Sequence, residues 1–237
     1  MIVVMAKRPE ILHEQRHVRY DEKHWKRLWH LRTRAAKVMS LLVNNGMHPF
    51  VYGSLARGDV SESSDIDIVI PYPVPSYRVE LAVGRWVHRE LVQATPSSVL
   101  KAHLHVGADT VVTFPLFKMM SREEEFYRWG GMINLSQLRS RTRVPGVDKR
   151  LLLIIPVADG HLEEGVIGRE HEVARRIGVS VDIAMERVRV LLRRSDIGRT
   201  GVYLDCVVPE GKTFEEVAKD LCDSDPALRR TMTRRGG

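Results

Sequence analysis

The chain has 237 residues, of which 43% are hydrophobic and 28% are charged, and its formal net charge is +7. These proportions are typical of a globular protein with a buried core and exclude a chain that is disordered throughout. The longest apolar run covers residues 151–158, which is far shorter than the roughly 20 residues of a membrane-spanning helix.

Two features of the composition bear on the compartment. Lys7 and Arg8 directly follow the apolar start Met1–Met5, so this start is too short and wrongly flanked for a secretory signal. The two cysteines, Cys206 and Cys222, are too few for a disulfide framework or a four-cysteine zinc site. We therefore expect a cytoplasmic protein with no membrane partner.

The charge is uneven along the chain. Residues 1–50 contain 10 basic and 4 acidic residues, residues 51–138 contain 8 and 10, and residues 139–237 contain 19 and 16. A locally acidic middle between basic flanks suits a cation-binding centre framed by surfaces that attract a polyanion. The alternative is that the basic side chains are ordinary solvated surface.

The first part of the chain predicts alternating helices and strands. Apolar residues recur at helical spacing over residues 20–45, with Asp21 at the N-terminal end and Gly46 at the C-terminal end. The further elements predicted before residue 140 are a strand over 50–52, a strand over 66–70, a helix over 79–93, a strand over 109–117 and a helix over 123–129. We therefore predict one α/β domain over residues 1–140, with the long helix on its back.

A smaller α+β domain is predicted over residues 141–237. The polar, basic stretch 139–149 contains Pro145-Gly146 and indicates a domain boundary. The elements predicted after it are a strand over 151–157, helices over 169–177 and 181–194, a strand over 202–208, a helix over 214–221 capped by Thr213, and a frayed tail from Arg229.

The stretch from Val51 to Ile70 carries the strongest chemical signal. Asp65 and Asp67 lie two residues apart at the head of an apolar strand, so both carboxylates point to one face. Two crowded carboxylates repel each other unless a cation lies between them. Mg²⁺ (or Mn²⁺) fits, because such hard cations prefer oxygen ligands and leave sites for water and phosphate.

A Gly-Ser turn precedes this pair of carboxylates. Gly53 and Ser54 follow the strand over 50–52. A glycine allows close approach of the backbone to a ligand, and exposed N–H groups with a serine hydroxyl can hold phosphate oxygens. Arg57 either contacts phosphate or stabilises the loop. Together these elements predict a site for a metal-bound polyphosphate.

This pattern resembles the nucleotidyltransferase motif of the DNA polymerase beta superfamily. The motif combines Gly-Ser, a small residue before Arg-Gly, a short spacer and Ser-Asp-x-Asp on an apolar strand. The matching residues are Gly53, Ser54, Ala56, Arg57, Gly58, Ser64, Asp65 and Asp67. The alternative is a hairpin whose aspartates cap turns. Over most of its length the chain is also similar to archaeal predicted nucleotidyltransferases, through residues 74–77, 127–131 and 197–202.

The resemblance implies a mixed-sheet module that transfers a nucleoside monophosphate from an NTP to a hydroxyl and releases pyrophosphate. It also implies two divalent ions held by three carboxylates and the triphosphate. Asp65 and Asp67 would supply two of these carboxylates. Asp109 is the best candidate for the third, because it opens a later strand, and Glu80 on a predicted helix is its competitor. Without a third carboxylate, catalysis would be weak or absent.

The resemblance also implies the substrate-binding residues and leaves the acceptor open. The triphosphate would contact Gly53, Ser54, Arg57 and Ser64. The basic flanks favour RNA or another nucleic acid as the acceptor, or a protein or small molecule if the flanks are only surface.

Three short motifs permit a second interpretation each. His103 and His105 would share one strand face and could bind zinc, but a third ligand is not evident and an ordinary surface or core pair is favoured. Residues 127–129 could stack a base, although a packed helix end is favoured. Cys206 is expected to be a small buried apolar residue rather than a nucleophile.

A second functional hypothesis comes from residues 172–192, which resemble a helix-turn-helix. In that interpretation Ser180 caps a recognition helix, residues 198–204 form a wing, and phosphate or bases are contacted by Arg187, Arg189, Arg193 and Arg194. The favoured alternative is a helical hairpin that supports the catalytic module. The helix-turn-helix would make the protein a non-catalytic nucleic-acid binder on a nucleotidyltransferase scaffold.

Overall fold

The structure, a computed structural model, describes residues 8–198 and 201–236. The strands are β1 (Arg16–Arg19), β2 (Phe50–Tyr52), β3 (Ile66–Val69), β4 (His88–Gln93), β5 (Lys101–Gly107), β6 (Thr110–Pro115), β7 (Met132–Asn134), β8 (Gly146–Val147), β9 (Leu152–Val157), β10 (Gly160–Gly165) and β11 (Leu204–Val207). The helices are α1 (Glu22–Asn44), α2 (Ser54–Arg57), α3 (Ser76–Val83), α4 (Ser121–Trp129), α5 (Leu135–Arg139), α6 (Glu170–Ile177), α7 (Val181–Ile197), α8 (Phe214–Ser224) and α9 (Pro226–Arg234).

The larger sheet is mixed and has the strand order β11-β4-β5-β6-β3-β2-β7. Strands β3 and β6 are parallel, whereas the other neighbouring strands are antiparallel. The α/β fold class with a mixed sheet, predicted from the sequence, is therefore confirmed.

An N-cap and an apolar stripe in the sequence explain why the long helix α1 forms. The carboxylate of Asp21 accepts a hydrogen bond from the backbone N–H of His24 at 2.7 Å, as an N-cap does. Its apolar stripe, which includes Leu28, Ala35 and Met39, is fully buried and joins the core of the larger sheet. Burial of such a side chain contributes about 1.5–3 kcal/mol, so packing on the sheet fixes the position of α1.

The smaller sheet has the order β1-β10-β9-β8 and is antiparallel. Strand β1 precedes α1 in the chain, yet it pairs with β10, with Arg16 opposite Glu163. Strand β11 comes late in the chain but pairs with β4 at the edge of the larger sheet. Both sheets therefore draw strands from either side of residue 140, where the sequence suggests a boundary.

Two predicted elements are wrong. The helix predicted over residues 79–93 ends at Val83, because Gly84 has a φ of 76°, and the residues of β4 pair with β5 instead. The expected frayed tail is α9, which Asp225 caps by accepting from the N–H groups of Ala227 and Leu228. The fully buried side chain of Leu228 holds α9 on the core.

The end of the chain bears on three smaller predictions. Residues 199–200 of the expected wing lie outside the described residues, and β11 pairs with β4 in the larger sheet. Cys206 on β11 is partly buried and packs against the core. Within residues 8–198 and 201–236, every helix is too short or too polar to cross a bilayer.

Candidate active site

Asp65 and Asp67 line one cavity of about 690 Å³. Asp67 lies on β3 and Asp65 directly precedes it, so the alternation of the strand turns both carboxylates to the same face. Ile66 and Ile68 between and beyond them are fully buried in the core. The Gly53–Ser54 turn and Ser64 line the same cavity, so the structure brings the elements of the predicted polyphosphate site together.

The two carboxylates create a local excess of negative charge. Burial raises the pKa of Asp67, and the charge of Asp65 raises it further, while Lys149 acts in the opposite direction. In the described part of the chain, neither carboxylate has a hydrogen-bond or ion-pair partner. Two oxygen donors that repel each other in a partly buried site fit a hard divalent cation.

The Gly53–Ser54 turn forms part of the cavity wall. Gly53 has φ 75° and ψ −142°, a combination that residues with a side chain rarely adopt. Its N–H donates to the carbonyl of Gly131 at 2.9 Å, and α2 begins at the next residue. The Ser54 hydroxyl donates to the Ser64 hydroxyl at 3.3 Å, so two hydroxyls meet at the start of the cavity.

Two roles are predicted for Arg57, contact with phosphate or stabilisation of the loop, and its contacts in this structure fit the second. Its guanidinium donates to both oxygens of Asp59, at 3.0 and 2.9 Å, and to the carbonyl of Gly130 at 2.6 Å. The two side chains are only 6% and 8% exposed. Arg57 lines the cavity, but its donors are directed at these groups, so it stabilises the loop beneath the site.

The structure does not bring Asp109 into this cavity. Asp109 lies in the turn between β5 and β6, and its carboxylate accepts hydrogen bonds from Arg34 on α1 and from the Thr110 hydroxyl. The Arg34 guanidinium holds the pKa of Asp109 below its usual range. Its competitor Glu80 is paired with Arg89 at 3.0 Å. On β6 the residue in register with Asp67 is Val111.

Asp148 and Lys149, which no motif of the sequence indicates, also line the cavity and directly follow β8. β8 lies close to the end of α4, because an added Cβ at Gly146 would be only 2.5 Å from the backbone nitrogen of Gly131. The carboxylate of Asp148 accepts from Arg150 Nε at 2.7 Å and from two backbone N–H groups. Lys149 is exposed. The basic stretch 139–149 is the available signal in the sequence, but its Pro145-Gly146 favours a domain boundary instead.

A second cavity of about 590 Å³ lies beside the first. The two share Tyr52, Phe126 and Arg187 as lining residues. The guanidinium carbon of Arg187 lies 4.9 Å from the centre of the Phe126 ring, and burial lowers the pKa of Arg187 to about 10. Arg187 therefore presents a cation to both cavities.

The helix pair α6–α7 supports this region. Ser180 caps α7, as predicted, by accepting from the N–H of Ile183. Ile183 and Val188 are buried in a second hydrophobic core, which also contains Trp129 and Leu153, and α7 contacts α4. The exposed residues on α7 include Arg189, Arg193 and Arg194. Tyr127 and Trp129 on α4 are buried, which agrees with the packed-helix interpretation of residues 127–129.

Comparison with known families agrees with this geometry. Residues 47–128 match the family model described as a nucleotidyltransferase domain. The matched segment includes the Gly53–Ser54 turn, Asp65, Asp67 and Asp109. No curated protein and no solved structure matches the chain. The predicted resemblance to a polymerase beta-like nucleotidyltransferase is confirmed for this domain, which supports transferase activity on an NTP, while the wider archaeal resemblance stays a prediction.

Proposed function

We propose that this chain uses its nucleotidyltransferase domain, residues 47–128, to transfer a nucleoside monophosphate from an NTP to a hydroxyl acceptor. The observation that carries the proposal is the placement of Asp65 and Asp67 in one cavity with the Gly53–Ser54 turn. A cation site and a phosphate-binding turn that face the same space are the two parts that such a reaction requires.

Asp65 and Asp67 would hold a divalent cation, Mg²⁺ or Mn²⁺. Both offer carboxylate oxygens, and the raised pKa of Asp67 reflects burial and a repulsion that a bound cation relieves. When bound, such a cation neutralises triphosphate charge and lowers the pKa of an acceptor hydroxyl. Asp109, which the sequence proposes as a third ligand, is bound by Arg34 in this structure and stays a prediction.

Ser54 and Lys149 would hold the triphosphate. The Ser54 hydroxyl and the backbone N–H of Ser54 would donate to phosphate oxygens, and Ser64 lies within reach of Ser54. Lys149 supplies an exposed positive charge at the cavity. Arg57 acts indirectly, because its bonds to Asp59 and Gly130 fix the loop.

The reaction that follows from this arrangement is an in-line displacement at the α-phosphorus. The acceptor oxygen forms a bond to phosphorus and releases its proton to solvent. The bond from phosphorus to the bridging oxygen breaks, and its electron pair leaves with pyrophosphate. The residues of this chain contribute by positioning the reactants and by stabilising charge.

The second cavity supports RNA as the acceptor. Basic side chains that line it include Lys101, Arg187, Arg194 and Arg234. Lys101 Nζ lies 5.7 Å from the ring centre of Phe126, which is half-buried and lines the cavity, so charge and aromatic surface occur together, as in sites for single-stranded nucleic acid. Because the two cavities share lining residues, an acceptor in the second would reach the first.

The test is transfer of an α-labelled NTP to RNA in the presence of Mg²⁺ or Mn²⁺. The double variant Asp65→Asn with Asp67→Asn should lose at least about 100-fold of the label transfer, since the cation site is removed. Glu62→Gln is the matched control, because Glu62 is an exposed carboxylate in the same loop and should have no effect. Unchanged transfer by the double variant would overturn the proposal.

One observation favours the alternative of a non-catalytic nucleic-acid binder. The cavity carboxylates Asp59 and Asp148 are engaged by arginines, and Asp109 lies outside, so fewer carboxylates face a metal than the resemblance implies. A binder would show no label transfer and would keep its RNA affinity in the Asp65→Asn, Asp67→Asn variant. Its affinity would fall in Arg193→Ala with Arg194→Ala, and its salt slope would shrink by about one unit per lost phosphate contact.

A further inference from the structure

A cluster of imidazole and carboxylate groups lies on the larger sheet, outside the site described above. Strands β4 and β5 are antiparallel, with Glu90 opposite His103 and His88 opposite His105. The alternation of each strand places these four residues on one face. The side chains of Glu90, His103 and His105 are 22–30% exposed, so they are partly shielded but accessible to a small ion.

The two distances from Glu90 to the histidine donor atoms are close to those around a tetrahedral metal. Glu90 Oε1 lies 3.2 Å from His105 Nε2 and 3.6 Å from His103 Nδ1. One donor atom from each of these three residues lies within 4.8 Å of the others. Donors bound to tetrahedral zinc at about 2.0–2.1 Å are separated by roughly 3.3–3.4 Å. Little movement would therefore bring all three donors onto one ion.

Interactions within the protein do not account for the direction of His103. At 3.6 Å, its Nδ1 is beyond hydrogen-bond distance of Glu90. Among the hydrogen bonds of residues 8–198 and 201–236, none involves this ring. Its lone pair is free for a ligand.

We propose that Glu90, His103 and His105 bind a zinc ion, with the fourth position open to water or to a substrate. Two imidazoles and one carboxylate form a donor set that suits zinc, whereas Mg²⁺ prefers an all-oxygen set. His88 Nε2 lies 3.4 Å from the second oxygen of Glu90, Oε2. His88 therefore orients the carboxylate without joining the three ligands.

This site is separate from the one that contains Asp65 and Asp67. His105 is in register with Val111, and Val111 with Asp67, so His105 and Asp67 are two strand spacings apart, about 10 Å. His103 also lines the second cavity. The zinc ion would thus lie on the same sheet face as the carboxylate pair, on the side of the second cavity.

The experiment is a titration of the full, untagged chain with Zn²⁺ against a chromophoric chelator. One ion should bind per chain. Removal of a residue that holds a metal ligand, without binding the metal itself, lowers metal affinity by about 10–100-fold. Glu90→Gln and the double variant His103→Asn with His105→Asn should each lose more affinity than this. His88→Ala should fall within that range. His171→Ala is the matched control, because His171 is exposed on α6, and it should bind as the unaltered chain does.

Two further measurements guard against a folding artefact. Co²⁺ should bind with the intense visible absorption of tetrahedral cobalt, and His103→Asn with His105→Asn should remove that absorption while circular dichroism stays unchanged. Zinc should raise the thermal unfolding midpoint of the unaltered chain and not that of this variant. Equal zinc affinity in the unaltered chain and in Glu90→Gln would overturn the inference.

The outcome is distinguishable from that of the nucleotidyl-transfer test. The variant Asp65→Asn with Asp67→Asn should lose label transfer and bind zinc normally. Zinc binding without any label transfer would overturn the proposed function alone. Label transfer without zinc binding would overturn the zinc site alone.

Discussion

Arg34 on α1 binds the carboxylate of Asp109 through both terminal nitrogens of its guanidinium, with Nη1 at 2.7 Å from Oδ2. This ion pair joins α1 to the turn between β5 and β6. Asp109 does not line the cavity that contains Asp65 and Asp67. Separate substitutions of Asp109 and of Arg34 can therefore decide whether Asp109 has a role beyond this ion pair.

Asp109→Asn is expected to retain nucleotidyl transfer. The ion pair is more than one-third exposed on both sides, so its loss should lower the free energy of unfolding by no more than about 1 kcal/mol. Arg34→Gln should give the same small loss in a urea titration. If Asp109→Asn abolishes label transfer and Arg34→Gln does not, Asp109 is a metal ligand in the working enzyme.

The same pair should make stability depend on acid. Its hydrogen bond from Arg34 lowers the pKa of Asp109 in the folded state. The stabilisation is therefore present above the ordinary aspartate pKa of about 3.9 and is lost as the pH falls through the lowered value. In Asp109→Asn this part of the acid dependence should be missing. A series of urea titrations from roughly pH 2 to 6, in steps of about one pH unit, would reveal the difference.

Asp67→Asn is expected to stabilise the metal-free protein while it abolishes transfer. Burial and the charge of Asp65 raise the pKa of Asp67, so the ionised form is less favourable in the folded than in the unfolded chain. This destabilisation is fully present above the raised pKa and disappears as the pH falls below the ordinary value. The thermal unfolding midpoint of Asp67→Asn should exceed that of the unaltered chain at pH 7, and the difference should vanish in acid.

Mg²⁺ supplies the complementary measurement. Mg²⁺ should raise the thermal unfolding midpoint of the unaltered chain. At a concentration 100 times the dissociation constant, it should add about 2.7 kcal/mol to the free energy of unfolding. Asp65→Asn with Asp67→Asn should show no such rise. An equal rise in both proteins would place the cation elsewhere.

Arg57→Ala is expected to lower the free energy of unfolding by about 3–5 kcal/mol, because it leaves the buried carboxylate of Asp59 without its partner. The double variant Arg57→Ala with Asp59→Ala should recover part of this loss. Urea denaturation measures both. A loss below about 1 kcal/mol in Arg57→Ala would mean that the pair behaves like a surface ion pair.

Gly53→Ala is expected to cost roughly 1–3 kcal/mol of stability through backbone strain and to abolish transfer by moving the turn. Space is not the reason, because an added Cβ would meet no atom within 4 Å. Gly178→Ala is the matched control, with φ 71° at the end of α6 and equally open space. It should lose stability but keep its activity, and a Gly53→Ala protein of normal activity would contradict the role of the turn.

The sequence predicted the motif-bearing elements well because their signals are local. The N-cap at Asp21, strand β3 with its two aspartates, and the Gly53–Ser54 turn all depend on residues close together in the chain. The pairing of Asp109 with Arg34 is not local, since 75 positions separate them. No pattern within either segment indicates such a contact, so the third carboxylate could not be placed.

The cluster of Glu90, His103 and His105 also depends on a contact between separate segments of the chain. The sequence predicts that residues 103 and 105 share a face, but apolar residues near Glu90 match helical spacing and predict a helix there. Only the register of β4 on β5 brings Glu90 opposite His103. A third ligand therefore became visible once the strand pairing was known.

The pairing of β1 with β10 has a consequence for synthesis on the ribosome. The bonded side chains of Arg16 and Glu163 are 147 positions apart, so β1 waits for a partner that is made much later. In the larger sheet, every strand except the edge strand β11 is made before β10. Because chains fold from the N-terminus as they are made, truncation before residue 160 should leave β1 without a neighbour while most of the larger sheet can pair.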